Sequence, residues 1–205
     1  PLVRLVRRLD VADRICLGSF SDARVAAARR LFGTQGFAAT TMDEIAGAAG
    51  IAKGAVYHHF KTKEAVFEAV FDQVSRDLVI EIDGAARAEK DVLAAMVAGT
   101  QHYFAATAKG PTGRIILRDG PAVLGWERWR EIDAKHFGGK LPRALSIAME
   151  SGLVAKQPVE PLARLLLGAV TEAAVACAGR DDIARAGTEY ARAFKSLVEA
   201  LRVTA

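Results

Sequence analysis

From residue 21 onward the apolar positions recur at intervals of three and four, the period of an amphipathic helix, and no stretch reads convincingly as a strand. Val25, Ala28, Leu31 and Phe32 form one stripe, and Gly36 follows it where a left-handed C-cap residue belongs. Thr41 and Glu44 have capping-box spacing, so a short second helix begins there, with Met42, Ile45 and Ala46 turned inward. Gly47 and Ala49-Gly50 end it, and a third short helix is predicted from about Ala52 to His58. Thr62 caps a fourth, longer helix whose buried face is Val66, Phe67, Val70, Phe71, Val74 and Leu78. Residues 84–91 (GAARAEKD), small and charged, read as a connection between domains.

The same period continues to the end of the chain. Asp91 starts a helix carrying Val92, Met96, Gly99, Tyr103 and Phe104. Pro111 begins a short helix that Gly120-Pro121 ends, and Pro121 opens the next, which runs through Trp126 and Trp129 to Phe137 before Gly138-Gly139. A further helix spans about Leu141 to Glu150. Pro161 opens a helix of about 18 residues that is apolar on nearly every side, and the last helix, started by Asp181-Asp182, repeats Ile183, Gly187, Tyr190, Phe194, Leu197 and Leu201. A helix apolar all round has to be covered on both faces, and a second subunit is the natural cover for one of them. A four-helix dimer interface is therefore predicted, drawing on Leu166, Gly168, Ala169, Ala173, Tyr190, Phe194, Leu197 and Leu201.

Composition narrows the class. A chain of 205 residues forms one large domain or two small ones, and 51% apolar with 25% charged residues excludes a disordered chain. Only two cysteines, Cys16 and Cys177, are present, so neither a disulfide framework nor a cysteine-based zinc module is indicated, and their scarcity fits a reducing cytoplasm. No run of uncharged apolar residues reaches membrane-spanning length, since Arg164 and Glu172 interrupt Leu162 to Ala178. The formal net charge of +4 sits wholly in residues 1–30, which hold seven basic and three acidic residues, while residues 31–205 carry 21 of each. Residues 1–18 contain Arg4, Arg7, Arg8 and Arg14, whose charges break up any secretory signal. This segment reads either as a loosely ordered extension from an upstream start codon or as a basic arm along nucleic acid.

Short helix, tight glycine-containing turn, short helix is the helix-turn-helix pattern. Residues 53–63 (KGAVYHHFKTK) add chemistry to it: Lys53, Lys61 and Lys63 with no acidic residue among them, and Tyr57, His58 and His59 between. Lysines supply charge to phosphates, while Tyr and His donate hydrogen bonds to phosphate or base edges. Gly54 leaves backbone open to close approach. His58 beside His59 does not make a metal pair, because adjacent helical side chains point about 100° apart. Catalytic signals are sparse: Gly-x-Ser-x-Gly and His-Glu-x-x-His are absent, and Gly138-Gly139-Lys140 lacks the flanking residues of a phosphate loop. Neither an enzyme nor a metal- or cofactor-dependent protein is expected. In the C-terminal two thirds, Tyr103, Phe104, Trp126, Trp129 and Phe137, with Met96, His102 and Arg118, are candidates to line an apolar pocket with polar anchors. A helical adaptor that binds protein instead of DNA is the alternative reading.

The string from Leu31 to Val66 (LFGTQGFAATTMDEIAGAAGIAKGAVYHHFKTKEAV) closely resembles the DNA-binding domain of the TetR family of bacterial transcriptional repressors. Phe32, Gly36-Phe37, Thr40-Thr41-Met42, Ile45-Ala46, Ala49-Gly50-Ile51, Lys53-Gly54, Val56-Tyr57, His59-Phe60 and Lys63-Glu64 carry the match, over about a quarter of the chain. The resemblance implies an all-α protein in three parts: an extension (1–18), a three-helix DNA-binding domain (19–66) and a helical effector and dimerisation domain (67–205). It implies that Thr40, Thr41 and Lys63 touch backbone phosphate, that Lys53, Gly54, Ala55, Tyr57 and His58 face the major groove, and that Val56 and Phe60 are core. Ala52 departs from the pattern, which has a capping Ser there. The partners implied are a palindromic double-stranded DNA operator, a second copy of the chain and a small-molecule effector of unknown identity that releases the DNA, without a membrane.

Overall fold

In a computed structural model the described residues are 25–203 apart from 109, 179 and 181. The extension at 1–18, the start of the first helix near Ser21 and the capping Asp181 lie outside them. The chain forms two compact units, which divide between Val70 and Phe71.

The first unit contains α1, described over 25–35, then α2 (Met42–Ala48), α3 (Lys53–His59) and the first two turns of α4 (Lys63–Arg87). The capping box forms as the spacing predicts. The Thr41 amide donates to Glu44 Oε2 at 2.7 Å and the Glu44 amide to Thr41 Oγ1 at 3.2 Å. Gln35 Nε2 donates to the Ala39 carbonyl at 3.2 Å, tying the end of α1 to the turn before α2. Phe32, Met42, Ile45, Val56, Val66, Phe67 and Val70 are buried, and the rings of Phe32, Phe37 and Phe67 meet pairwise at 5.2–5.7 Å. Phe60, expected in the core, is half-buried where α3 ends. Ala52 provides no side-chain cap to α3, whereas Thr62 Oγ1 accepts from the Ala65 amide at 3.2 Å and caps α4.

α4 continues through Gly84 to Arg87, so most of the connection expected at 84–91 is helix. Alanine is the best helix former, and extending an existing helix costs far less than nucleating one; Ala85 and Ala86 therefore carry α4 past a single exposed glycine. Only 88–90 turn before Asp91, whose Oδ1 accepts from the Ala94 amide to cap α5 (Val92–Thr107).

The rest of the second unit consists of α6 (Gly110–Gly113), a π-helical segment (Arg114–Asp119), α7 (Gly120–Leu124), α8 (Trp126–Phe137), α9 (Lys140–Glu150), α10 (Val159–Ala178) and α11 (Ile183–Ala200). α5, α9, α10 and α11 share a core of Leu93, Met96, Val97, Leu145, Met149, Leu166, Phe194 and Val198. Residues 121–137, read above as one helix, break at Gly125, whose φ of +75° lies in the left-handed region open chiefly to glycine. The stretch after Pro111 widens from α into π geometry, and the buried indole of Trp129 donates from Nε1 to the Ile116 carbonyl at 3.3 Å. α10 is long and apolar enough to cross a membrane by length and composition, but Leu166, Ala173, Ala174 and Cys177 pack inside the protein.

Gly120 closes the π segment under crowding: a Cβ there would stand 2.7 Å from the Phe71 ring and 2.9 Å from the Ile115 carbonyl oxygen. Gly120→Ala is therefore expected to destabilise the second unit by about 1–3 kcal/mol, the usual cost of overpacking. A drop in the denaturant midpoint at unchanged m-value checks it, and an unchanged midpoint refutes this packing.

Candidate nucleic-acid interface and ligand cavity

Val56 is the buried anchor of α3, and the opposite side of the helix stays open. Lys53, Gly54, Tyr57 and His58 are exposed, with Ala55 half-buried beside them. At about 100° per residue these exposed positions fall within roughly 140° of arc, one continuous face. No atom lies within 4 Å of where a Cβ would stand on Gly54, so a partner can approach the backbone itself. Lys61 follows this face, also exposed. The acid-free run does not leave Lys53 unpaired, because Asp43 on α2 reaches it at 2.8 Å, and this hydrogen bond pushes the ammonium pKa up. Both side chains are solvent-exposed, so a phosphate can replace the carboxylate at little cost.

Two of the expected phosphate ligands have partners within the fold. Thr40 is fully buried and its hydroxyl donates to the Gly36 carbonyl at 2.7 Å, so its side chain does not face the surface. Lys63 is half-buried, with Nζ donating to the Phe37 and Thr40 carbonyls at 2.9 and 2.8 Å and lying 4.3 Å from the Phe37 ring centre. It pins the turn between α1 and α2 to the start of α4, a structural task that sequence spacing does not reveal. Thr41 is exposed, but its hydroxyl and amide are both committed to Glu44, and the amide first, then the hydroxyl, hold that carboxyl below its ordinary range.

The second unit contains a cavity of about 650 Å³, open on one side and in the size range of small-molecule sites. Five helices contribute to its wall, each by residues three and four apart: Ile82, Asp83, Ala86 and Arg87 from α4; Met96, Gly99, Thr100 and Tyr103 from α5; Trp129, Asp133 and Phe137 from α8; Lys140, Arg143, Ala144 and Ile147 from α9; and Leu167, Val170 and Thr171 from α10. Met96, Tyr103, Trp129 and Phe137 are thus brought together as the sequence suggested. His102, Phe104, Arg118 and Trp126 are not on the wall. His102 faces Glu81 at 3.2 Å, and Phe104 stacks on Tyr190 at 6.5 Å. Arg118 is exposed on the π segment, and Trp126, 48% exposed, stacks outside on Trp129 at 5.1 Å. The turn of the helix separates them: residues flanking Tyr103 point about 100° away from it.

Asp133 was not anticipated, although its signal is present. It falls four residues after Trp129 and four before Phe137, a carboxylate inside an aromatic stripe. Burial pushes its pKa up to about 6 against the opposing pull of Arg130 and His136. Burial also pushes the Tyr103 phenol up, and the charge of Asp133 adds to the effect. α8 is held in place by Asp72 on α4, which takes Lys135 at 2.5 Å and His136 at 2.9 Å. Burial opposes ionisation of Asp72, but the hydrogen bonds from Lys135 and His136 prevail and bring it to about 2.

The residues expected at a dimer interface divide between two environments. Leu166, Ala173 and Phe194 are packed within their own subunit, and Tyr190 and Leu201 are half-buried. Gly168, Ala169 and Leu197 face outward. With Leu165, 72% exposed, and Val175, Gly168 and Ala169 make an apolar outer stripe along α10.

Residues 25–70 match the family model described as bacterial regulatory proteins of the tetR family, and residues 93–201 match a Tetracyclin repressor-like C-terminal domain. The Transposon Tn10 TetC protein of Escherichia coli is 28% identical over 147 residues, covering 70% of this chain and 73% of that one. A TetR-family transcriptional regulator from Pectobacterium atrosepticum superposes with a TM-score of 0.83 at 26% identity, over 93% of this chain and 98% of its own. The structure of RolR in complex with the ligand resorcinol superposes with a TM-score of 0.70 over 91% of this chain and 89% of its own; at 17% identity it speaks for the fold alone.

A carboxyl whose folded pKa is raised loses stability as pH climbs from its unfolded value, near 3.8, to about 6, and carries the full penalty above that. Asp133→Asn is therefore expected to stabilise the protein by about 2 kcal/mol at pH 7 and to leave it unchanged below about pH 4. Denaturant unfolding of both proteins across this range checks the sign, and equal stability at pH 7 refutes it.

Proposed function

This chain belongs to the TetR family of DNA-binding bacterial transcriptional regulators, and on that premise we propose that it is a homodimeric repressor which a small molecule in the α4–α10 cavity releases from a palindromic operator. The open face of α3 carries the DNA-binding half of the reading. Lys53 and Lys61 neutralise backbone phosphates, Tyr57 and His58 reach base edges in the major groove, and Gly54 admits the backbone. Ala55 offers no hydrogen bond, only contact with a thymine methyl. Two copies of α3 enter successive major grooves, half-sites about one helical turn apart.

The effector half rests on α4. Its first two turns supply Val66, Phe67 and Val70 to the core of the first unit, while Ile82, Asp83, Ala86 and Arg87 stand on the cavity wall. A ligand that favours one setting of this helix changes the spacing of the two recognition helices, and a preference of about 1–3 kcal/mol is sufficient. The second subunit covers the outer apolar stripe of α10 together with Leu197 of α11. Small residues at Gly168 and Ala169 let two such helices approach closely. The reading places the protein in the cytoplasm, where operators are.

Two experiments test the α3 contacts and the α10 interface. Tyr57→Ala is expected to weaken binding to a selected operator fragment about 10–100-fold, and Lys53→Ala to reduce the salt slope by about two, one for each subunit, while weakening specific and non-specific DNA alike. Lys63 is left in place because its removal would unpin the turn. Fluorescence anisotropy across a salt series reads both, and wild-type affinity in both variants refutes the α3 assignment. Leu165→Glu with Ala169→Glu is expected to give a folded monomer by light scattering; a dimer persisting at low micromolar concentration removes α10 from the interface.

A further inference from the structure

Of the charged groups on the cavity wall, Asp133 is the carboxylate that the protein leaves without a direct partner. Among the described residues Asp133 has neither a hydrogen bond nor an ion pair. The two groups whose charge acts on Asp133 are engaged elsewhere: His136 Nε2 is 2.9 Å from Asp72, and Arg130 lies over the outward-facing Trp126 ring at 5.8 Å. Lys140, on the same wall, is bidentate to Asp83 at 2.6 and 2.8 Å. Asp133 thus stands between Trp129 and Phe137 with Tyr103 nearby, an anionic group framed by three aromatic rings whose faces are themselves electron-rich.

We propose that the ligand of this cavity is a lipophilic cation, an ammonium group carried on an apolar body, whose charge is held by Asp133 among the rings of Tyr103, Trp129 and Phe137. The inference rests on the cavity's being the effector site and adds the chemical class of effector. Such a ligand supplies what the fold omits, a counter-charge for Asp133, while its body fills the apolar wall formed by Met96, Leu167 and their neighbours. Arg87 and Arg143 also stand on the wall, but the charges that act on Asp133 are those of Arg130 and His136; an anion among the three rings would place a second negative charge beside the first, and a neutral body would leave the carboxylate desolvated and unpaired. The folded protein, which gains stability if Asp133 is neutral, retains it at a cost that only the cation offsets.

Three probes sharing one two-ring body discriminate these cases: naphthylmethyl-trimethylammonium, naphthylmethanol and naphthoate, titrated into the full-length protein by calorimetry at pH 7. The ammonium is expected to bind about tenfold or more tighter than the alcohol, and naphthoate weakest. In Asp133→Asn, which preserves shape and removes charge, the ammonium is expected to fall to the level of the alcohol while the alcohol is unchanged. The proposal is overturned if the alcohol or naphthoate matches the ammonium, if none of the three binds at millimolar concentration, or if the preference survives in Asp133→Asn. The wild-type comparison stands even without the variant. Operator release, read in parallel, separates the two claims. Asp133-dependent binding of the ammonium without release refutes the effector reading and keeps the ligand class. Release by the alcohol or naphthoate alone keeps the effector reading and refutes the ligand class.

Discussion

Both compact units take core residues from a single helix, and the fold depends on that sharing. α4 runs unbroken from Lys63 to Arg87. Val66, Phe67 and Val70 are fully buried in the first unit, and Phe71, Val74 and Leu78 in the second. Each phenyl or isopropyl group withdrawn from water contributes about 1.5–3 kcal/mol, so neither core closes without its share of this seam. Polar contacts then set what the seam leaves free. Lys63 ties the turn before α2 to the first residue of α4, and Asp72 ties the end of α8 to its third turn.

The two surfaces that matter for function follow from these ties in opposite ways. α3 is short, lacks a side-chain cap and buries one residue fully, Val56, so almost its whole circumference is available for contact. It packs on α2, whose capping box is complete. The cavity, in contrast, is walled by five helices, and Asp133, which has no hydrogen bond or ion pair among the described residues, stands on the helix whose last turn Asp72 holds through Lys135 and His136. A buried carboxylate without a counter-ion is expensive. That the protein keeps one beside three aromatic rings distinguishes this cavity from a packing defect, which would be lined by apolar groups alone.

Corrections to the sequence reading fall where side-chain direction, not residue type, was at stake. Thr40 and Lys63 have the chemistry of phosphate ligands, but the folded turn turns one inward and engages the other with two carbonyls. Trp126 and Trp129 are alike in sequence, three apart and both aromatic, yet Gly125 sets the start of α8 so that one indole is buried against the π segment and the other lies outside. His102 and Phe104 flank Tyr103 and leave the wall on either side of it. Asp133 went unnoticed because a carboxylate between exposed Glu131 and Lys135 reads as ordinary surface until the stripe from Trp129 to Phe137 is seen to face inward.

Local order along the chain determined a good deal by itself. The capping box at Thr41, the three-four spacing of α4, the aspartates that start α5 and α11 and the run from Leu31 to Val66 are all interactions among near neighbours, and near neighbours are what a sequence records. These were sufficient for an all-helical chain, for the helix-turn-helix and for the family. Tertiary structure decided which faces of equally apolar helices turn inward, that α4 does not stop at Gly84, and that a cavity forms around Asp133 at all. Each of those depends on residues far apart in sequence competing for the same volume and the same counter-charges, and such competition is settled only when the chain is packed.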